Sequence, residues 1–551
     1  MANRVNTVQK LLEVLRFQSR EIYTIYFFAI FSGIVQLSVP VGVQSIISFV
    51  MGGSMSTSLV VLIVFVIAGV FATGMLQVAQ MKIIERIQQL LFVRYSLIYA
   101  ESIPKLSLSE TQGYYLPELS NKFFDIISLQ KGISKILLDL PAASIQILFG
   151  LILLSFYHPV FIFFGLLLLT ILFVILRQTG NRGLQTSLAK SDYKYKVASF
   201  LQELSRFSAT YKFAKDDSMH IKMTDSYLSG YLAAATEHFK ILLLQYRTLI
   251  GFKVTIIGAM LIVGSYLLVE QQLNIGQFIA AEMVIMMVIE SVEKLIVNLD
   301  KIYDVLTSVE KINKLPDLPK EHSGSMKFEK ADGGVEIEAS QLTICVGDKT
   351  VLENAAFKIA PGEKVVLTGN QGSGKSTLLK VIGGIYDAYS GSLNLNGIPM
   401  GNFDASTVRE HVGVVLTSQS IFRGTIMENI LMGGTNVNMQ KLVMLSELVG
   451  LGDFIKSKKE GFDFQLQPTG FHLPGNTVRK ILLLRALIHE PELLLLEEPW
   501  VGMEDRYVLQ IKQYLLQIPR TTVIVVTTDK DYAEKCDQVL VIENQNVKKV
   551  R

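Results

Sequence analysis

Glu363-Lys-Val-Val-Leu-Thr368 runs directly into Gly369-Asn-Gln-Gly-Ser-Gly-Lys-Ser-Thr377 and on into Leu378-Leu-Lys-Val-Ile382. The first segment has the composition of a buried strand, the last that of a helix. Between them, Gly-x-x-x-x-Gly-Lys-Ser is the phosphate-loop pattern, which carries meaning only in this strand–loop–helix order. Gly372 and Gly374 let backbone N–H groups converge on phosphate oxygens at the positive end of the following helix. Gly369, Asn370, Gln371, Gly372, Ser373, Gly374, Lys375, Ser376 and Thr377 are therefore the candidate binding set for a nucleoside triphosphate. Lys375 is placed for the β- and γ-phosphates, and the Ser376 hydroxyl for Mg²⁺. A chance glycine-rich turn has no reason to carry both flanks.

Further along, Leu493-Leu-Leu-Leu496 is apolar at every position, as expected of a parallel strand covered on both faces. It ends in Glu497-Glu498-Pro499, and acids at the end of such a strand lie near the phosphates. Glu497 is the candidate Mg²⁺ ligand, acting through water; Glu498 is the candidate catalytic group, polarising an attacking water. Across 335–551, short β-branched runs alternate with helical stretches, the pattern of an α/β domain. Residues 316–334, which include Pro316-Asp-Leu-Pro319, read as a linker.

The rest of the chain has a different composition. Of 551 residues, 50% are hydrophobic and only 18% charged, against roughly 25% charged in soluble domains. Mean hydropathy is +0.38, which excludes a disordered chain. A net charge of +3 points to no polyanion-binding surface and no nucleic-acid partner, and two cysteines cannot build a disulfide framework. No charged residue occurs from Ile22 to Met81, a run broken by the polar segment Met51–Ser58. Leu140–Leu176, turning at His158, and Ile250–Asn298, turning at Glu270–Asn274, give two further hairpins. The expectation is six spans within 21–315, each meeting the ~20 residues a bilayer crossing needs. An amphipathic segment at 1–20 suits a helix lying on the membrane surface, and no cleavable leader pattern precedes the first span.

Lysine and arginine set the orientation. The short connections carry none, whereas Lys82, Arg86, Arg94, Arg177, Arg182 and Lys190 crowd the opposite side. This places both termini and the two long loops in the cytoplasm, in a multi-pass protein of the cytoplasmic (inner) membrane contacting the lipid bilayer. Within the spans, Pro40 is expected to kink the first helix. Glu282, two turns into the sixth span, is a candidate cavity-lining carboxylate. Glu290 and Lys294 are spaced to pair, and Lys253 to snorkel. Trp500 is expected to pack near the nucleotide, and Cys536 in the core.

Six spans with long cytoplasmic helices, a phosphate loop and an acid-ended strand resemble the ABC exporter half-transporters, most of all the type I secretion permease–ATPase group. The resemblance extends over Leu352–Glu363, Phe422–Ile430 and Arg485–Pro491. It implies an all-α six-helix transmembrane exporter domain followed by an α/β P-loop NTPase domain, and a dimer that sandwiches ATP and Mg²⁺. It also implies short coupling segments near Glu110–Glu118 and Asp216-Asp217. The partner is a second copy or a sister half-transporter, with a membrane-fusion protein as companion.

The departures from that family follow one theme. The signature Leu-Ser-Gly-Gly-Gln falls on Leu473-Pro-Gly-Asn-Thr477, so Pro474 replaces the serine and Asn476 a glycine. The Q-loop glutamine falls on Thr417, too short to reach Mg²⁺. The strand-ending Asp is Glu497, the switch histidine becomes Thr527-Thr528, the adenine-stacking aromatic is Cys345, and the D-loop Asp is Glu504. What grips phosphate is kept, and what senses and cleaves the γ-phosphate is altered. The expected function is ATP binding, with slow or absent hydrolysis, coupled to export. The alternative is an impaired subunit that regulates or scaffolds a partner exporter.

Overall fold

A computed structural model describes residues 2–16, 18–53, 57–330, 333–435, 437–470, 473–474 and 476–551, so the connection at 51–58 and the linker at 316–334 lie partly outside the described residues. The chain packs as two units. One comprises Met1–Pro104 and Tyr115–Leu318; the other comprises Lys105–Tyr114 and Pro319–Arg551.

The first unit is helical: α1 (Ala2–Arg16), α2 (Ser19–Gln36), α3 (Ser38–Met51), α4 (Thr57–Ser102), α5 (Leu116–Asn121), α6 (Asp125–Tyr157), α7 (Val160–Arg206), α8 (Ser208–Tyr211), α9 (Met219–Val269), α10 (Ile275–Val297) and α11 (Leu299–Asn313). Six stretches among the described residues are long and apolar enough to cross a membrane, from Ser19–Met51 to Ile275–Asn313. α4 has 46 residues, roughly 69 Å of helix against a hydrocarbon core of about 30 Å, so it continues well past an apolar span. α2 and α3 form one such stretch interrupted at Leu37. The cause is Pro40, whose ring nitrogen has no hydrogen to donate to the Gln36 carbonyl.

Packing in this unit depends on small residues at helix crossings. A Cβ on Gly150 of α6 would lie 2.6 Å from Val288 of α10, and one on Gly132 would lie 2.2 Å from Val305 of α11. In α1, Val14 is buried and Leu11 packs on the cluster of Leu184, Tyr303 and Leu306, while Val8 and Leu12 are exposed. One sequence expectation changes in the spans. Lys253 forms an ion pair with Glu293, whereas Glu290 and Lys294 are absent from the ion pairs among the described residues. Glu293 reaches α9, and Lys294 instead lines a cavity. Glu282 is exposed on α10. Asp216 closes a local turn before α9, accepting from the Ser218 amide at 2.8 Å and from Lys222, and these bonds hold its carboxyl down at about 2.

The second unit is built on a sheet whose strands follow the order Asn546–Lys549, Gln538–Glu543, Lys364–Gly369, Thr522–Val526, Leu493–Glu497, Val412–Val415. All neighbouring pairs are parallel except the first. The all-leucine strand is buried at every position. Leu493 and Leu495 enter one core with Val365 and Leu367, while Leu494 and Leu496 enter the other with Val366. An antiparallel sheet of Lys349–Ile359, Ile337–Val346, Tyr389–Leu395 and Ile398–Pro399 completes the first core. Lys105–Tyr114 joins this unit through Asp387, which accepts from Ser107 at 3.0 Å, from Ser109, and from the His322 amide at 3.1 Å. Trp500 and Cys536 lie in the second core, the indole edge-on to Tyr532 at 5.0 Å.

Gly150→Leu is expected to destabilise the helical unit by about 1–3 kcal/mol through overpacking. Gly74→Ala, where a Cβ meets nothing within 4 Å, is expected to be neutral or slightly stabilising. Thermal unfolding of the detergent-purified protein distinguishes the two.

Candidate functional site

The phosphate loop leaves the strand Lys364–Gly369 and enters the helix Lys375–Ile382. Gly369, Gly372 and Gly374 adopt φ of 144°, 79° and 103°, backbone that L side chains rarely tolerate. At Gly374 a side chain is doubly excluded, because its Cβ would lie 2.4 Å from Val351. The Ser373 amide closes the loop onto the Asn370 carbonyl at 3.2 Å. The Ser373 hydroxyl is buried with no hydrogen-bond partner among the described residues. The first turn of the helix leaves the amides of Lys375, Ser376 and Thr377 without intrahelical acceptors. An orphaned hydroxyl and open amides on one turn suit a polyanion. Lys375 Nζ donates to the Gly369 and Asn370 carbonyls at 2.8 and 2.7 Å. Burial lowers its pKa, opposed by Glu498 and Glu497.

Glu497 ends the central strand and joins three segments. One carboxylate oxygen accepts from the Ser376 hydroxyl. The other accepts from the Thr417 amide at 2.8 Å and the Thr417 hydroxyl at 2.9 Å. Burial pushes this carboxyl up, but the bonds from Ser376 and Thr417 outweigh it and hold the pKa below the ordinary value. The two candidate Mg²⁺ ligands, Ser376 and Glu497, are therefore adjacent, as a shared cation requires. Thr417 is too short to act as a glutamine would, yet the extra methylene of Glu497 brings the carboxylate to it. Gln419 does not substitute, since its side chain accepts from the Leu416 amide at 3.1 Å.

Glu498 sits just beyond, at a φ of 46°, a left-handed conformation uncommon for a residue with a side chain. Its amide donates to the Val526 carbonyl at 2.9 Å. Among the described residues its carboxylate meets only a long contact from the Thr527 hydroxyl, at 3.4 Å. Burial raises its pKa, while Thr527 and Arg479 oppose the rise. Arg479 also donates to the Glu498 backbone carbonyl. Of the two residues at the switch position, Thr527 is buried against Glu498 and Thr528 is exposed.

The other altered positions lie in the same unit. Pro474 is exposed; Gly475, inside the signature-equivalent segment, lies outside the described residues. The Asn476 side chain donates to the Gly502 carbonyl at 3.0 Å, and Glu504 lies 3.9 Å from Lys480. Cys345 is exposed on its strand, its carbonyl accepting from the Tyr386 hydroxyl at 2.8 Å. Two site contacts were not foreseen from sequence, Thr417 to Glu497 and Arg479 to Glu498. Each joins residues distant in the chain, and no local pattern announces either.

Residues 352–501 match the ABC transporter family model. The cyclolysin secretion/processing ATP-binding protein CyaB of Bordetella pertussis is 27% identical over 327 residues, covering 59% of this chain and 46% of that protein. The alpha-hemolysin translocation ATP-binding protein HlyB of Escherichia coli is 27% identical over 331 residues, with the same two coverages, 59% and 46%. The chain thus spans about half the length of the curated relatives it matches. A bacterial Atm1-family ABC exporter solved with ATP bound has the same fold, with a TM-score of 0.83 at 16% identity over 96% of this chain and 94% of that one. The chain is therefore a multi-pass membrane protein of ABC exporter fold, its six candidate spans fused to a nucleotide-binding ABC transporter domain, and a homologue of the secretion and translocation ATP-binding proteins just named.

Proposed function

We propose that this chain is the ATP-binding membrane subunit of an exporter in the cytoplasmic membrane, and that it binds Mg-ATP well but hydrolyses it slowly or not at all by itself. The observation that carries this reading is the contrast within one site. The loop Gly369–Thr377 has its strained glycines, open amides and lysine in place. The groups that act on the γ-phosphate in the family are replaced by Pro474, Thr417 and Thr527-Thr528. Each lost donor to transition-state charge costs on the order of 3 kcal/mol, about 10² in rate. The grip on the phosphates rests chiefly on the loop, which these losses leave in place.

In this reading the loop amides and Lys375 hold the β- and γ-phosphates, Ser376 and Glu497 hold Mg²⁺, and Glu498 orients the attacking water. The working form is a dimer, with a second copy or a sister half-transporter, and a membrane-fusion protein is its candidate companion. The exporter reading is preferred over a purely regulatory subunit because the fold match extends through the six-helix unit as well as the ATP-binding domain.

Lys375→Ala is expected to weaken ATP binding roughly 10- to 100-fold, the worth of a charge-assisted phosphate contact. Fluorescent-nucleotide titration of the purified full chain measures it, and unchanged affinity overturns the reading. Residual turnover, where detectable, is expected to fall in Glu498→Gln. It should also fall on acidification at a higher pH than an ordinary glutamate predicts, because a raised pKa leaves the carboxyl protonated over more of the range. Thr417→Gln alone is not expected to raise hydrolysis, since it removes the hydroxyl bond to Glu497 and sets a longer side chain against that carboxylate, leaving only the backbone amide bond. The double exchange Thr417→Gln with Glu497→Asp is expected to exceed either single variant in a phosphate-release assay.

A further inference from the structure

In the helical unit, α2, α4, α6 and α10 enclose a cavity of about 270 Å³ whose wall carries Gln36, Gln77, Gln80, Asp139, Gln146 and Lys294. The four glutamines lie within the apolar stretches of candidate membrane spans, where polar groups are expensive and normally face one another or a cavity, while Asp139 borders the run Leu140–Leu176 and Lys294 lies near the end of the run that closes at Asn298. Some of the set is partnered. Gln80 Nε2 donates to the Ile25 carbonyl at 3.2 Å, Gln146 Oε1 accepts from Ser291 at 2.8 Å, and one Asp139 oxygen accepts from Asn298 at 3.1 Å. Those bonds are interhelical glue and need no ligand. The remainder is different. Among the described residues, the side chains of Gln36, Gln77 and Lys294 make no hydrogen bond or ion pair, those of Gln77 and Lys294 being exposed, and the second Asp139 oxygen has none. Nor do Asp139 and Lys294 pair with each other, although both line the same space.

We infer that this cavity binds an amino-acid-like zwitterion, its ammonium on Asp139, its carboxylate on Lys294, and its polar body against the glutamine amides. Three features select that class. One carboxylate and one ammonium bring no net charge, so a simple cation or anion leaves one of them unmatched. Both charges come from α6 and α10, whereas the amides of Gln36, Gln77 and Gln80 come from α2 and α4. A ligand with adjacent charges at one end and hydrogen-bonding atoms at the other satisfies both walls. The volume lies toward the small end of ligand sites, which suits a small solute and not a folded domain. The inference deepens the exporter reading and rests on it for the direction of transport, but not for binding.

The test uses the full-length purified chain in nanodiscs, with the protein amino acids and L-alanyl-L-glutamine as probes. Binding is followed by isothermal titration, and ATP binding is measured on the same preparation. At least one zwitterion is expected to bind saturably, with its N-acetylated and its carboxyl-amidated forms at least tenfold weaker. Asp139→Asn is expected to erase the preference over the N-acetylated form only, and Lys294→Gln the preference over the amidated form only. A merely structural role does not produce that paired loss of selectivity. Lys294 is exposed and unpaired, so its variant is expected to fold if Asp139→Asn does not. No binding across the panel, equal binding of the blocked forms, or wild-type selectivity in Lys294→Gln overturns the inference. Failure of ATP binding with zwitterion binding intact instead overturns the exporter reading.

Discussion

A carboxylate at the end of a strand buried on both faces is the constraint around which the nucleotide-binding unit is arranged. The strand Leu493–Glu497 has no exposed position, so its first polar side chain appears where the sheet ends. Glu497 there accepts from Ser376 on the phosphate-loop helix and from Thr417 after the strand Val412–Val415. One side chain thus fixes the register of three segments with respect to each other. Burial alone drives a carboxyl toward its neutral form; three hydrogen bonds to the charged form reverse that, keeping the negative charge where a cation is wanted. Glu498, one residue on and without such bonds, moves the opposite way. Adjacent acids with opposed shifts are the arrangement that the proposed division between holding a metal and handling a proton requires.

Much of this was legible in the sequence, for identifiable reasons. The phosphate loop is a local pattern whose glycines are demanded by positive φ, and the all-leucine strand announces burial on both faces. The spans follow from length, charge-free composition and the asymmetry of lysine and arginine. What escaped depends on contacts between distant positions. Thr417 reads as a lost glutamine and Glu497 as a conservative exchange until they are seen bonded to each other. The same is true of Arg479, an unremarked position on a helix face, whose guanidinium reaches the Glu498 carbonyl. Lys253 reads as a snorkelling residue because its partner, Glu293, lies on another helix. In the spans, Gln36, Gln77, Gln80 and Gln146 are isolated polar letters; only the packing of three helices brings them to one cavity.

Thr417 and Glu497 also change how the motif losses are counted. Taken singly, each is a defect: a side chain too short, and an acid too long. Taken together, the carboxylate of Glu497 is hydrogen-bonded by both the amide and the hydroxyl of Thr417. Two neighbouring departures that satisfy each other behave as one coupled exchange, and their energies do not add. Pro474 differs in kind, since proline removes a backbone donor outright.

The asymmetry between kept and altered groups has an energetic logic. Gripping a triphosphate needs strained glycines, converging amides and one lysine, all contributed by a single contiguous segment. Cleavage needs donors aimed at charge that exists only in the transition state, and those donors come from several segments. Losses in the second set leave the first untouched, because binding the ground state gains nothing from them. On the proposed reading, two or three such losses, at about 3 kcal/mol each, are expected to slow turnover by roughly 10⁴ to 10⁶ with the phosphate grip of the loop retained. A protein in that condition derives its useful free energy from binding, and its conformational work is set by differential affinity for ATP between its states.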